Sequence, residues 1–487
     1  MRKWKTRAAK DDPGVWSDVV CMWPTRQGTY EVSDFYDGGT ALTATGEGGT
    51  AGDGVMAWAF SALSGTRAYV VADKIWEYAS GTLTDRTNSL TYGSAGDCMM
   101  CQYGNVTVMS RGTSASLAIS TGGNFSALAS SPQAKLVCVQ SNALVAFNTN
   151  NNADEWVASD VGDYTNWATG EYATGRILDG TGAITAAIPF GNDIIVFKRD
   201  AIFRMTYVGG TVKWQIQKIV QGIGCQDTGR HACPAVSCGD VIFFLGGYAD
   251  YTSQEAYYLF DGVSTPRNVC ADLELNSAIR VYGVPTYDPI QRRVSVVDFN
   301  ANDGGQAYFY SLETDAWGKS ATGPAISTER PLPVRGDYWA VADHYDKSST
   351  LRPMFYVSAA DEITRHFPVA PGGATASPTA PASPYVISHF YGRTDRKTEW
   401  TRLYPLLRRK TDASTGTPST TCAVNYYREL YATSADVIVS KTGVIDTTRY
   451  RFNFNGTDNF VQFAITFKDV DVEIDDIFVE SRDAGAE

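Results

Sequence analysis

The stretch Trp156–Trp167, WVASDVGDYTNW, brings a serine, two aspartates, a glycine and two tryptophans together. Two carboxylates this close could serve acid–base chemistry or hold a hard cation. They are equally the groups of an Asx-turn, in which the side chain accepts from a nearby backbone N–H. With Gly162 between the two aspartates, the turn is the simpler reading. Trp156, Asp160, Asp163 and Trp167 are therefore expected to form a structural corner, shaped by the carboxylates and pinned by the indoles. Glycosidic cleavage would need two carboxylates facing each other across a pocket, and a carboxylated sugar would call for an arginine clamp. Arg204, Arg230, Arg292, Asp298 and Glu313 are of the right types, yet none sits in a marking motif. With 53 acidic residues, some convenient pairing is expected by chance. There is no GxGxxG, P-loop, GxSxG or HExxH motif. The expectation is no catalytic residue, no cofactor and no enzyme.

Metal-ligand types are similarly scattered. Cys98-Met-Met-Cys101 could be half of a zinc knuckle, but there is no second CxxC, and strand alternation would turn the two thiols to opposite faces. Cys225, His231, Cys233 and Cys238 follow no common zinc spacing, and the chain has only four histidines. No metal site is predicted. The nine cysteines are odd in number and read mostly as small buried hydrophobes. Asp469–Asp476, DVDVEIDD, alternates as a strand with one acidic face. Basic residues cluster at Arg393–Lys397 and Arg402–Lys410; Arg402, Arg408, Arg409 and Lys410 are candidates for an interface or for a solvated sheet edge.

The elements that must position these residues are strands. Of 487 residues, 44% are hydrophobic and only 19% charged, with 45 glycines and 27 tyrosines, a composition suited to many strands joined by turns. The net charge of −12 is not that of a broad nucleic-acid-gripping surface. No segment has the length and hydropathy of a membrane span, and the basic N-terminus lacks the apolar core of a secretory signal. Hairpin-like units recur at Arg67–Ala79, Asn105–Ser120, Asn142–Ser159, Asn192–Gly209, Asp240–Gly262, Arg292–Trp317 and Asp337–Ser358. That spacing predicts an all-β chain with a β-propeller of about seven blades, six to eight being allowed, and a C-terminal β-sandwich. The expected organisation is an arm and completing strands in 1–42, a propeller in 43–367, a Pro/Ala/Gly-rich linker or loop in 368–384 and the sandwich in 385–487.

WVASDVGDYTNW resembles the Asp-box of sialidase-like propellers but departs from its register, because Asp160 directly follows Ser159. The chain also resembles the tail hub or nozzle proteins of short-tailed bacteriophages (podoviruses), a group that includes packaged-DNA stabilisation proteins. The corner itself, Ile188–Gly209 with Trp214 and the Gly222–Gly224 turn, Tyr257–Val269, and the closing strands carry that resemblance. It implies a structural virion protein, assembled in the host cytoplasm as a homo-oligomeric, hexameric ring in the phage tail. Such a ring sits beneath the portal and adaptor, anchors tail fibres, spikes or a needle, and retains the genome. Packaged double-stranded DNA then passes through its lumen without sequence-specific binding. The residues leave two alternatives open: a propeller glycan hydrolase or sialidase-like enzyme, and a monomeric propeller that binds protein.

Overall fold

The computed structural model describes residues 98–227 without interruption. It also describes 233–248, 256–271, 284–289, 292–297 and 307–319, most of 56–92, and individual strands nearer the two termini. Among the described residues the structure is strand and turn, and no helix is long and apolar enough to cross a membrane.

Five antiparallel sheets of four or five strands follow one another along the chain. Blade 1 comprises Met56–Ala62, Gly65–Val71, Ile75–Ala79 and Thr82–Asp85, with Arg335–Gly336 added in parallel. Blade 2 is Cys98–Tyr103, Val106–Arg111, Ala118–Ser120 and Ser126–Ala127. Blade 3 is Ala134–Gln140, Ala143–Thr149, Glu155–Ala158 and Ala173–Arg176. Blade 4 is Ala186–Phe190, Asp193–Phe197, Ala201–Tyr207 and Trp214–Gln221. In blade 5, Ile223–Cys225 and Ala235–Ser237 both pair with Ile242–Tyr248, followed by Ala256–Phe260 and Arg267–Asn268.

This five-blade propeller-like arrangement corrects the expectation of about seven blades. The sixth predicted hairpin, Arg292–Trp317, does not close a sheet of its own. Its strands continue Val284–Asp288, and through Ala316–Lys319 they join Val15–Val20, Tyr385–Ser388 and Phe460–Phe467 in an eleven-stranded sheet. Of the seventh, Asp337–Ser358, only Met354–Val357 lies within the described residues; it belongs to a composite sheet completed by N-terminal strands. The C-terminal strands likewise do not pair only with one another. A second sheet combines Thr398–Arg409, Val472–Asp483 and Phe452–Asp458 with the N-terminal Met22–Pro24 and Tyr30–Val32. Every strand edge has an unmet row of hydrogen-bonding groups, so a distant segment can complete a sheet as well as a near one.

The apolar core lies between blades. Trp58, Tyr69 and Ile75 of blade 1 meet Cys98, Met100 and Met109 of blade 2. Val106 and Val108 on the other face of blade 2 meet Val137, Leu144 and Val157 of blade 3. The largest cluster continues from blade 3 through blades 4 and 5 to Tyr308, Tyr310 and Trp317, and includes Tyr30, whose hydroxyl donates to the Trp317 carbonyl at 2.7 Å.

Side-chain donors bind the turns of one blade to the next. Arg67 donates to the carbonyls of Asn105 (3.1 Å) and Thr121 (2.7 Å). Tyr103 donates to Asn142 at 3.1 Å, Gln140 to Gly191 at 3.2 Å, and Arg204 to Gly262 at 2.7 Å. The receiving turns are tight. Ser141 and Asn142 both have positive φ, the signature of a two-residue type I′ hairpin.

On the opposite side, Lys198 is 2% exposed and its ammonium donates to the carbonyls of Ile177 (2.8 Å), Asp179 (3.2 Å) and Gly180 (3.3 Å), in the segment that joins blade 3 to blade 4. Burial lowers its pKa, and the carboxylates of Asp154, Asp200 and Asp179 oppose that shift. Lys198→Met keeps the aliphatic stem but leaves three carbonyls without their charged donor. We expect a loss of about 2–4 kcal/mol, read in urea denaturation as a lower midpoint with an unchanged slope.

Candidate functional site

Three of the first hairpins turn in two residues, at 104–105, 141–142 and 191–192, whereas the outer hairpin of blade 3 opens into the loop 159–172 on the same side of the molecule. The loop begins where Ser159 leaves the strand. The Ser159 backbone N–H donates to Leu144 O, and its hydroxyl accepts from Leu144 N at 3.0 Å. The chain then doubles back: Asp160 bridges Asp163, and Gly162, at φ +85°, donates to the Asn142 carbonyl at 2.7 Å.

The two aspartates do different work. Asp160 spans the loop, its Oδ1 accepting from Glu171 N at 2.7 Å and its Oδ2 from Asn166 Nδ2 at 3.1 Å. Asp163 makes the Asx-turn, with Oδ1 accepting from Thr165 N at 2.9 Å and from the Thr165 hydroxyl at 2.6 Å. Those two Thr165 donors hold the Asp163 carboxyl below its ordinary pKa. The indoles lie on opposite faces of blade 3. Trp167 packs into the core shared with blade 2, and Trp156 into the core shared with blade 4, where it lies over Gly175 with room for no Cβ.

Blade 4 clamps the far end of the loop. The Lys213 ammonium donates to the Gly170 carbonyl and, at 3.0 Å, to that of Tyr172. The Tyr207 hydroxyl donates to Glu171 at 3.4 Å. Burial raises the Tyr207 pKa, and the Glu171 charge adds to the shift. Tyr207 itself stands edge-on to its cross-strand partner Trp214, with ring centroids 5.2 Å apart.

At the near end, Tyr164 meets Tyr103 of blade 2 at 5.2 Å with the rings inclined by 56°. Both rings are half-buried, while Gly162, Asp163, Thr165, Ala168, Thr169 and Gly170 are exposed. The result is a polar loop, pinned at both ends, whose half-buried Tyr164 meets Tyr103 of blade 2 next to the exposed Asp163 carboxylate. Sequence reading missed Tyr103, Glu171, Tyr207 and Lys213, and it passed over Tyr164 within the quoted stretch. One local signal was available: a loop of this length, between strands whose neighbours turn in two residues, is out of pattern.

The other residues singled out from sequence are dispersed. Arg204 lies 3.5 Å from Asp193 and donates to Gly262. Arg292 bridges Asp240 (3.0 Å) and Glu313 (2.7 Å), tying blade 5 to the long sheet. Arg230 and Asp298 lie outside the described residues, as does His231. Cys225, Cys233 and Cys238 are buried in the main core, with backbone carbonyls as their sulfur contacts. Cys98 and Cys101 do face opposite cores, and burial pushes the Cys101 thiol up to about 12, far from a reactive thiolate. Among the described residues no group of three or more His, Cys, Asp and Glu is placed to hold a metal ion.

Arg402 is ion-paired to Glu480 at 3.0 Å, and Tyr404 donates to the same carboxylate at 2.7 Å. In register, Arg408 stands opposite Glu473 and Arg409 opposite Val472; Lys410 lies outside the described residues. The basic run and the acidic run are therefore antiparallel neighbours in one sheet, an arrangement that favours opposite charges.

No family model and no curated protein matches the chain. Among solved structures it is similar to apo AztD from Citrobacter koseri, with 11% identity and a TM-score of 0.37 over 66% of this chain and 88% of that one. It is also similar to a glycoside hydrolase, with 11% identity and a TM-score of 0.26 over 88% and 98%. A third is the SapL1 lectin in complex with α-methyl fucoside, with 9% identity and a TM-score of 0.30 over 62% and 88%. Likenesses this loose carry no argument about activity. The expectation of a virion ring that extends a DNA channel, retains the genome and anchors fibres is corrected: with no family model and no curated protein matching, what the described residues support is an all-β, propeller-like protein.

The loop geometry yields a stability order. Gly170 has φ +68°, and a Cβ there would collide with the Asp160 carboxylate. Gly170→Ala should cost about 2–4 kcal/mol, and Asp160→Ala about 1–3 kcal/mol, because two loop donors lose their acceptor. Asp163→Ala, at an exposed turn, should cost less than either. Denaturation curves followed by tryptophan fluorescence rank the three, with Trp167 reporting on loop packing.

Proposed function

We propose that this protein is a β-propeller-like module that binds carbohydrate without cleaving it, on the face formed by the loop 159–172. The observation that carries the reading is the half-buried pair of Tyr103, at the end of a blade 2 strand, and Tyr164, on a loop pinned to blades 3 and 4, beside the exposed Asp163 carboxylate. A sugar ring is amphipathic. Its C–H face covers an aromatic ring, and its hydroxyls need nearby donors and acceptors. The exposed Asp163 carboxylate, next in sequence to Tyr164, supplies an acceptor beside the rings. A protein-binding patch would instead centre on an apolar core, and the exposed residues of this loop are mostly glycine, threonine and aspartate.

Binding is favoured over hydrolysis because the carboxylates of the loop are already engaged. Asp160 holds the loop closed, Asp163 holds its own turn, and Glu171 accepts from Tyr207. A retaining or inverting glycosidase keeps one carboxyl as a proton donor and a second facing it across the scissile bond.

The test is a glycan array followed by calorimetric titration of the best ligand. Tyr103→Ala and Tyr164→Ala should each weaken binding about tenfold, or ~1.4 kcal/mol, and Tyr103→Phe, which loses only the bond to Asn142, should keep binding, so that loss of the ring is told apart from loss of the blade contact. An array without signal, or a ligand whose affinity ignores both tyrosines, overturns the reading. Release of free sugar during prolonged incubation would show cleavage rather than binding.

A further inference from the structure

We propose that the corner made by Tyr103, Tyr164 and Asp163 receives an ammonium group, so that the ligands preferred there are sugars bearing a free amine. The proposal rests on the carbohydrate reading above and names the class of sugar.

The geometry begins at one carbonyl. Asn142 O accepts from both Tyr103 Oη (3.1 Å) and Gly162 N (2.7 Å), which fixes the blade 2 tyrosine and the loop against the same point. Asp163 and Tyr164 are the next two residues of that loop, and Tyr164 then meets Tyr103 at 5.2 Å with a 56° inclination. Both rings pack in part on the core between blades 2 and 3 and are only half-buried, and the face of a tyrosine ring attracts a cation. The Asp163 carboxylate stands beside them, close enough that its charge, after burial, helps raise the Tyr103 pKa. Both Thr165 donors converge on Oδ1 of Asp163. The Asn166 backbone N–H also bonds to this carboxyl, and the side chain is exposed, so the charge faces solvent.

The surrounding charge points the same way. Asp160 and Glu171 belong to the same loop. The cations within reach are spent on backbone carbonyls: Lys213 on Gly170 and Tyr172, and Arg67 on Asn105, Ser120 and Thr121. An acidic sugar would meet the carboxylates of Asp160, Asp163 and Glu171, while Lys213 and Arg67 are engaged with carbonyls. An amino sugar would place its charge between ring faces and a carboxylate.

The experiment titrates the full chain with three trisaccharide probes at mildly acidic pH: a β-1,4-linked glucosamine trimer, its fully N-acetylated counterpart, and sialyllactose. The free amine should bind at least about tenfold more tightly than the acetylated trimer, and sialyllactose most weakly. Asp163→Asn keeps an acceptor for Thr165 but removes the charge. It should bring the two trimers to within about twofold of each other without altering the melting curve, whereas Tyr164→Ala should weaken both. Equal or tighter binding of the acetylated or sialylated probe, or a preference that survives Asp163→Asn, overturns the proposal and leaves the carbohydrate reading standing. If no probe binds and the array is blank, both fall.

Discussion

A four-stranded sheet with apolar side chains on both faces cannot stand alone in water, and the rest of this structure follows from that constraint. Blade 3 shows it most directly. Trp156 projects into the core shared with blade 4, and Trp167 folds back into the core shared with blade 2. Neither face can be buried unless a neighbouring blade covers it, so the blades are stable only as a series. The same demand reaches beyond the propeller-like blades. The core that starts between blades 3 and 4 runs on through Phe243, Tyr257, Tyr310 and Trp317 and takes in Tyr30 from near the N-terminus.

Apolar packing brings blades together but does not set their rotation about one another. Directional bonds from a side chain of one blade to a turn carbonyl of the next do so, as with Arg67 at Asn105, Tyr103 at Asn142, and Gln140 at Gly191. A turn carbonyl has no partner inside its own hairpin, so the neighbouring donor satisfies a group that would otherwise require water. On the other side Lys198 and Arg111 do comparable work. Lys198, just past the second strand of blade 4, and Arg111, at the end of the second strand of blade 2, each reach back to the segment that enters the blade, Lys198 to three of its carbonyls and Arg111 to that of Thr91. The candidate site grows out of this scheme. Asn142 O receives a second donor from the long loop, and the point that aligns blades 2 and 3 thereby also anchors the tyrosine pair.

That common anchor has a consequence for recognition. The loop 159–172 is ordered before any ligand arrives, tied at Asn142, through Asp160 and at Lys213. Ligand binding to such a loop costs little ordering entropy. The groups that face solvent there are the outer parts of the Tyr103 and Tyr164 rings and the Asp163 carboxylate.

Much of this was legible in local sequence. Hydrophobic alternation marked the strands, tight turns fell at Gly104–Asn105, Ser141–Asn142 and Gly191–Asn192, and the Asp163 Asx-turn follows from residues within two positions of it. These features depend on φ preferences and side-chain periodicity, which a few neighbouring residues determine. What only the tertiary structure decided is partnership. Nothing near Val15–Val20 or Tyr30–Val32 says that these strands complete sheets with residues above 380. Nothing near Arg402 says that Glu480 lies opposite it, and nothing near Tyr164 says that Tyr103 is its ring partner. A strand edge offers the same row of N–H and C=O groups to every other edge in the chain. The choice falls to whichever pairing buries the most on both faces, a competition among distant segments that no local window contains. The number of blades and the candidate site are both outcomes of that competition.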